Sequence, residues 1–174
     1  FRPNIRKWKK GFSEKLKALY KTSWVFLQRS RFCQKKIEKL NSNFDLILQI
    51  SGMFSPALDF EKLNKPYVTF HDYTTALARK YPSWVPSHSQ LEKWLRLEKG
   101  LYKNASLIFT TNENARRSII NDYGIVGEKV ITVGCGFNLD EIPNSPKSYD
   151  GKTILFIGIF FDSKGGYVLL DAFK

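Results

Sequence analysis

A histidine and an aspartate stand side by side where a short apolar segment ends. The segment Tyr67-Val68-Thr69-Phe70 follows Pro66 and is typical of a buried strand, and His71-Asp72 comes directly after it. Ligands of open α/β sheets bind at the carboxyl ends of the strands. An imidazole next to a carboxylate can exchange protons with a polar substrate at such a position. His71 and Asp72 are therefore candidate catalytic residues, and the alternative is a histidine that only holds its loop neighbours.

Two glycine-containing segments could approach a phosphate group. Gly134-Cys135-Gly136 follows one apolar segment, and Gly158 follows another, with Lys164-Gly165-Gly166 a few residues later. Backbone amides ahead of a helix, together with a lysine, can hold a diphosphate. The same glycines also suit tight turns. Neither segment has the spacing of a dinucleotide fingerprint or a P-loop, and the sequence contains no H-E-x-x-H motif and no nucleophile elbow.

The positive charge of the chain is concentrated in its first forty residues. The formal net charge is +12, and residues 1–40 hold 13 Lys or Arg against Glu14 and Glu38. Three interpretations stay open for this basic, aromatic segment: a solvated helix face, contact with an anionic membrane, or contact with nucleic acid. The lysines proposed for an acceptor or membrane surface are Lys9, Lys10, Lys15 and Lys17.

The elements that must position these residues follow from hydrophobic spacing. Two helices are expected before residue 41, the second from about Gln28 to Leu40 with Phe32, Ile37 and Leu40 facing inward. Short apolar strands are expected at 46–50, 67–70, 107–109, 129–133 and 153–157. Three further helices are expected: one at 90–105, one from a Thr110-x-x-Glu113 capping box to about Tyr123, and one from about Tyr167. On the first of these, Glu92 and Arg96 are expected to pair on the solvent-facing side.

Short, nearly uniform apolar strands that alternate with helices predict a parallel sheet, because strands buried on both faces have no solvent side. The expected fold class is α/β, with an open, doubly wound, mainly parallel sheet. We expect one Rossmann-like domain at residues 1–150, including the basic helical segment 1–40, and the first strand–helix unit of a second domain at 151–174. The segment 138–150 has the composition of a linker.

The cysteines and the hydropathy pattern bear on location. Cys33 and Cys135 lie far apart in the sequence without metal-ligand spacing, so we expect reduced, half-buried thiols and no metal site. No apolar run approaches the roughly 20 residues of a membrane span. We therefore expect a cytoplasmic protein, and peripheral contact at the inner membrane face is the membrane interpretation of residues 1–40. His88 is expected to be an ordinary loop residue.

Five segments, in order, resemble retaining GT-B glycosyltransferases of the family 4 or group 1 type. The likeness spans about residues 44–174. The five segments are 44–49, 68–72, 105–112, 129–138, and the combination of 154–158 with 164–166 and 169–173. Within 129–138 the family usually has Asn-Gly-Val-Asp. The resemblance implies hexosyl transfer from a nucleotide sugar to a glycan or lipid-linked acceptor, as in polysaccharide biosynthesis, without a metal cofactor.

The resemblance also implies roles for individual residues. His71 would contact the sugar or the acceptor, and Lys164 would neutralise the leaving diphosphate beside Gly158, Gly165 and Gly136. The sequence departs from the family at Ile159, where an Arg is common, and at Cys135, where an Asn is usual. The acidic E-x(7)-E motif and the first glycine-rich loop of the family lie outside this sequence, so we expect an enzyme fragment that is inactive alone. The alternative is a nonenzymatic module that binds nucleic acid or an anionic surface through residues 1–40.

Overall fold

The computed structural model describes residues 22–40, 43–79, 88–136, 151–158, 161–162 and 164–173. The chain divides into two compact units, Phe1–Gly136 and Phe137–Lys174. Three sequence predictions fall outside the described residues: the first helix with Lys9, Lys10, Lys15 and Lys17, the linker at 138–150, and the position of Ile159.

The first unit contains a four-stranded, all-parallel sheet, which confirms the α/β class. Its strands follow one another in space in the order β1-β2-β3-β4, and every pair is parallel. The strands are β1 (Ile47–Ile50), β2 (Tyr67–His71), β3 (Leu107–Thr110) and β4 (Val130–Thr132). All four lie at predicted positions, and each boundary differs by at most one residue.

The connections place helices against one face of this sheet. The helices of the first unit are α1 (Ser23–Lys39), α2 (Thr75–Ala78), α3 (His88–Asn104) and α4 (Glu113–Asn121), with 3-10 turns at Phe60–Lys62 and Gly127–Lys129. Right-handed crossovers between strands added in one direction put successive helices on the same side. The buried core accordingly joins Tyr67, Ile108 and Val130 from the sheet with Leu101 from α3 and Ile119 from α4.

The opposite face of the sheet is apolar and open over much of its area. Leu48 and Ile50 on β1 are 59% and 64% exposed, and Ile131 and Val133 at β4 are 40% and 54% exposed. Their in-register neighbours on the central strands include Phe70, which pairs in register with Ile50. Among the described residues, the helices that pack on this sheet do so through its other face, so one layer of the predicted doubly wound sheet is present.

Helix α1 begins at Ser23 rather than near Gln28. The Thr22 side chain accepts a hydrogen bond from the backbone amide of Val25, which caps the first turn. Phe26 is buried and meets Trp94 edge to face, with 5.4 Å between ring centroids. This contact turns the other side of the helix outward, so the predictions that Phe32 and Leu40 face inward are wrong. Their side chains are 66% and 55% exposed, while Ile37 is half-buried.

Two local predictions around α3 and α4 are also wrong. Thr110 is the last residue of β3, and the cap of α4 is Asn112, whose Oδ1 accepts from the Ala115 amide at 2.8 Å. Glu92 pairs with Arg79 at 3.3 Å instead of Arg96. Asn competes well for N-cap positions because its short side chain reaches the amides of the first turn.

The second unit contains helix α5 (Gly166–Phe173), close to the predicted start at Tyr167. The predicted strand at 153–157 is not formed, since residues 153–158 have no regular secondary structure. A strand requires a neighbour that completes its ladder of hydrogen bonds. The described part of this unit offers no second strand.

Candidate functional site

The loops after all four strands lie side by side at one edge of the sheet. The Ser51 amide donates to the Phe70 carbonyl at 3.0 Å, and the Thr111 amide donates to the His71 carbonyl at 2.9 Å. The Val133 amide donates to the Thr110 carbonyl at 2.9 Å. These bonds extend the parallel ladders past the strands. The carboxyl-end loops therefore form one continuous polar edge, the location where open α/β sheets bind ligands.

Asp72, Thr111 and Asn112 are the polar side chains at the middle of this edge. The Asn112 amide nitrogen donates to the Asp72 carbonyl and to the Thr111 hydroxyl, each at 2.9 Å. The Asn112 side-chain oxygen is used by the α4 cap. The carboxylate of Asp72 is exposed. Asn112 thus ties the β2 and β3 loops together, and Asp72 and Thr111 are left to face a ligand.

His71 lies one layer beneath this edge. The last residue of β2, it points toward the helices, is 1% exposed, and packs edge to face on Tyr102 with 4.9 Å between ring centroids. Neither ring nitrogen has a hydrogen-bonding partner among the described residues. Burial lowers the pKa of His71 to about 4, although the nearby Asp72 charge opposes this shift. The imidazole is therefore neutral at neutral pH, and the surface of the folded chain does not expose it.

A buried carboxyl group lies within the same helix-covered side of the sheet, and the sequence interpretation missed it. Glu98 is 2% exposed. Its carboxyl oxygens accept from the Tyr102 hydroxyl at 3.0 Å, from the Tyr123 hydroxyl, and from the Thr75 amide at 3.3 Å. Burial raises the pKa of Glu98, and the hydrogen bonds from its partners lower it in part.

The strand-end loops and the Glu98 cluster are in contact. A Cβ placed on Gly52, which follows β1, would lie 2.6 Å from Glu98 Oε1. Tyr102 contacts Glu98 through its hydroxyl and His71 through its ring. Glu98 therefore supports the loop after β1 from below and, through Tyr102, the end of β2. The spacing offered a signal for its burial, because position 98 continues the apolar stripe of Leu91 and Trp94.

The predicted diphosphate-binding residues are divided between the two units. In the second unit, Lys164 is exposed in a turn that leads into α5, and Gly165 has a left-handed φ of +79°. A Cβ on Gly158 would lie 3.1 Å from the Phe156 ring. In the first unit, Gly136 is exposed after β4, with open space where a side chain would be. Lys164 and Gly165 thus combine a cation with a glycine turn ahead of a helix.

Three further observations concern metals, cysteines and membranes. Across the described ranges, no three His, Cys, Asp or Glu side chains lie close enough together to hold a metal ion. Both cysteines are free thiols; Cys33 is half-buried, whereas Cys135 is exposed rather than half-buried as predicted. None of the helices in the described part of the chain is long and apolar enough to cross a membrane.

His88, expected in a loop, is the first residue of α3.

In comparisons with known proteins, no family model matches the chain, and no curated protein matches it significantly.

Proposed function

We propose that the chain carries most of the acceptor-side domain and the start of the donor-side domain of a retaining GT-B glycosyltransferase. Such an enzyme transfers a hexosyl group from a nucleotide sugar to a glycan or lipid-linked acceptor. The observation that carries the proposal is the polar edge formed by four adjacent strand-end loops of an all-parallel, Rossmann-like sheet. The order of the sequence segments that resemble the family supports it.

In this proposal the acceptor hydroxyl meets Asp72 and Thr111. The bond from the sugar carbon to the diphosphate oxygen breaks first and leaves an oxocarbenium-like carbon. The acceptor hydroxyl then attacks this carbon from the face that the diphosphate leaves, so the configuration is retained, and the exposed Asp72 carboxylate accepts the hydroxyl proton. The His71 imidazole acts as a neutral hydrogen-bonding group, since burial holds its pKa at about 4. Its contact with a sugar hydroxyl requires the loop at Asp72 and Tyr73 to move aside.

The leaving diphosphate is assigned, within the second unit, to Lys164 with the amides near Gly165 and Gly158. A fixed ammonium group stabilises the negative charge that develops as the diphosphate departs. One charge-assisted hydrogen bond contributes about 1.5–3 kcal/mol, which corresponds to roughly 10- to 100-fold in affinity. We therefore expect Lys164→Gln to weaken nucleotide-diphosphate binding by at least about tenfold.

Titration of the 15N-labelled chain tests the proposal. UDP-glucose, GDP-mannose and the matching nucleoside diphosphates are added in turn, and backbone amide shifts are followed by NMR. We expect shifts at 72, 111–112 and 134–136 in the first unit, and at 164–166 in the second unit. Shifts confined to other surfaces, or none at millimolar ligand, would refute the proposed site.

A matched pair of variants separates the edge from general charge effects. Asp72→Asn removes one exposed negative charge at the carboxyl edge of the sheet, and Asp45→Asn removes one near the amino end of β1. Only Asp72→Asn is expected to change the sugar-dependent shifts. Equal effects of the two substitutions would show that Asp72 has no specific role.

A further inference from the structure

Helix α1 presents two large aromatic side chains to solvent on the side opposite its packing contacts. Trp24 is 61% exposed and Phe32 is 66% exposed. They lie eight residues apart, about two helical turns, so both project from the outer side. The inner side is anchored independently, because Phe26 packs on Trp94 and the Ser30 hydroxyl accepts from the Ser55 amide at 2.8 Å. The orientation of the aromatic side chains is therefore set by the fold of the first unit.

The same outer side is basic. The helix carries five basic side chains and one acidic one, Glu38. The basic residues are Arg29, Arg31, Lys35, Lys36 and Lys39. Lys35, Lys36 and Lys39 are exposed, and the Lys36 ammonium lies 5.4 Å from the centre of the Phe32 ring. This pair places a positive charge directly beside an exposed apolar ring, so the surface can make electrostatic and apolar contacts at the same point.

An apolar groove continues this surface onto the loop after β1. Its volume is about 490 Å³, and the atoms of its lining side chains that face the groove are almost all apolar. It is lined by Gln28, Arg29, Phe32, Cys33, Lys36 and Phe54. Met53, adjacent to Phe54, is 38% exposed. A groove with so few polar atoms offers little to the hydrogen-bonding edges of nucleic acid bases, whereas acyl chains need only apolar walls.

We infer that the outer side of α1, together with Met53 and Phe54, docks on the surface of an anionic lipid bilayer. Trp24 and Phe32 enter the interface between headgroups and acyl chains, and Lys35, Lys36 and Lys39 lie against anionic headgroups. Charge complementarity selects this partner, because the helix is basic where its apolar side chains are most exposed. The inference does not depend on the proposed sugar transfer.

Partition onto vesicles tests the inference. The full chain is sedimented with vesicles of phosphatidylcholine alone and with vesicles that also contain phosphatidylserine. Each basic residue near an anionic surface contributes a factor of about five in affinity. The triple substitution Lys35→Gln, Lys36→Gln and Lys39→Gln is therefore expected to weaken binding to the anionic vesicles about 100-fold.

A matched triple substitution on α3 provides the control. Lys93, Lys99 and Lys103 are exposed lysines on a helix of the same unit, and their replacement by Gln removes the same net charge. This control is expected to weaken binding less than about threefold. Equal losses in the two triple variants would overturn the inference, because they would mark a general charge effect.

The aromatic side chains are tested by the double substitution Trp24→Ser and Phe32→Ser. Both side chains are exposed, so an unchanged circular dichroism spectrum is expected, together with weaker binding to anionic vesicles at high salt. If the double variant bound anionic vesicles at high salt as strongly as wild type, the inferred insertion of the two rings into the bilayer interface would be refuted. Salt-dependent binding of RNA without any partition onto anionic vesicles would overturn the choice of partner.

Discussion

The buried imidazole of His71 makes the stability of this protein depend on acidity. Replacing it with leucine removes the titrating group and leaves an apolar side chain of similar size among the helices. The folded-state pKa of His71 is lowered from 6.5 to about 4 because burial disfavours the charged ring. The unfolded chain therefore binds more protons than the folded chain as the pH falls below 6.5.

The sign and size of the effect follow from that difference. For a basic group whose pKa is lower in the folded than in the unfolded chain, protons bind preferentially to the unfolded chain. The free energy of unfolding is therefore highest above the unfolded-state pKa and decreases as the pH falls toward the folded-state pKa. The interval between 6.5 and about 4 corresponds to roughly 3 kcal/mol, at about 1.4 kcal/mol for each pH unit. Wild type is therefore expected to lose about 3 kcal/mol relative to His71→Leu between about pH 7 and pH 4.

Urea unfolding of both proteins at several pH values measures this difference in the free energy of unfolding. The contributions of the other titrating groups largely cancel, because both proteins contain them. Measurements above pH 7, where the imidazole is neutral in both the folded and the unfolded chain, provide the reference for this pH-dependent difference. Parallel stability curves for wild type and His71→Leu across the interval between the two pKa values of the ring would refute the burial argument. They would show that the ring titrates in the folded state as it does in water.

Three further substitutions test the packing around the strand-end edge. Glu98→Gln replaces the buried carboxyl group, which meets Tyr123, with a neutral group of the same size. Because the folded-state pKa of Glu98 is raised, the stability of wild type falls as the pH rises above 4.5. Urea unfolding should therefore show that the variant gains stability relative to wild type as the pH rises. A variant that follows wild type at every pH would contradict this direction. Gly52→Ala should cost about 1–3 kcal/mol in thermal unfolding, since the new Cβ would lie 2.6 Å from Glu98 Oε1, which the Tyr102 hydroxyl and the Thr75 amide hold in place. An unchanged midpoint would refute the contact. Asn112→Ala should cost about 1 kcal/mol through loss of the cap to Ala115, whereas equal stability in urea would show that the cap is dispensable.

The sequence predicted the strands of the first unit well because each is a short apolar run bounded by turn residues. It could not predict which side of α1 packs inward, since apolar residues such as Phe26 and Phe32 occupy both sides of that helix. Tertiary contacts of Phe26 and Ser30 decide the orientation. The apolar run at 153–157 has strand composition, but a ladder also needs a partner strand, and composition carries no information about one.

The position of the strand-end edge was predictable from the sequence, whereas the burial of His71 and Glu98 was not. Parallel topology brings Asp72 and Thr111 to the same edge, as strand order and the rule for sheet ends imply. The burial of His71 depends on which face of β2 the helices cover, and alternation along the strand does not identify that face. Glu98 was missed because a glutamate within an apolar stripe is usually assigned to solvent, although here two tyrosine hydroxyls satisfy it.

The open apolar face of the sheet affects how folding of this protein should be monitored. Dyes such as 8-anilinonaphthalene sulfonate fluoresce on accessible apolar surface, and Leu48, Ile50 and Val133 offer such surface in the native state. Dye fluorescence will therefore be high before any denaturation begins. Near-ultraviolet circular dichroism, which reports the fixed packing of aromatic rings such as Tyr102, is the appropriate probe for loss of native structure.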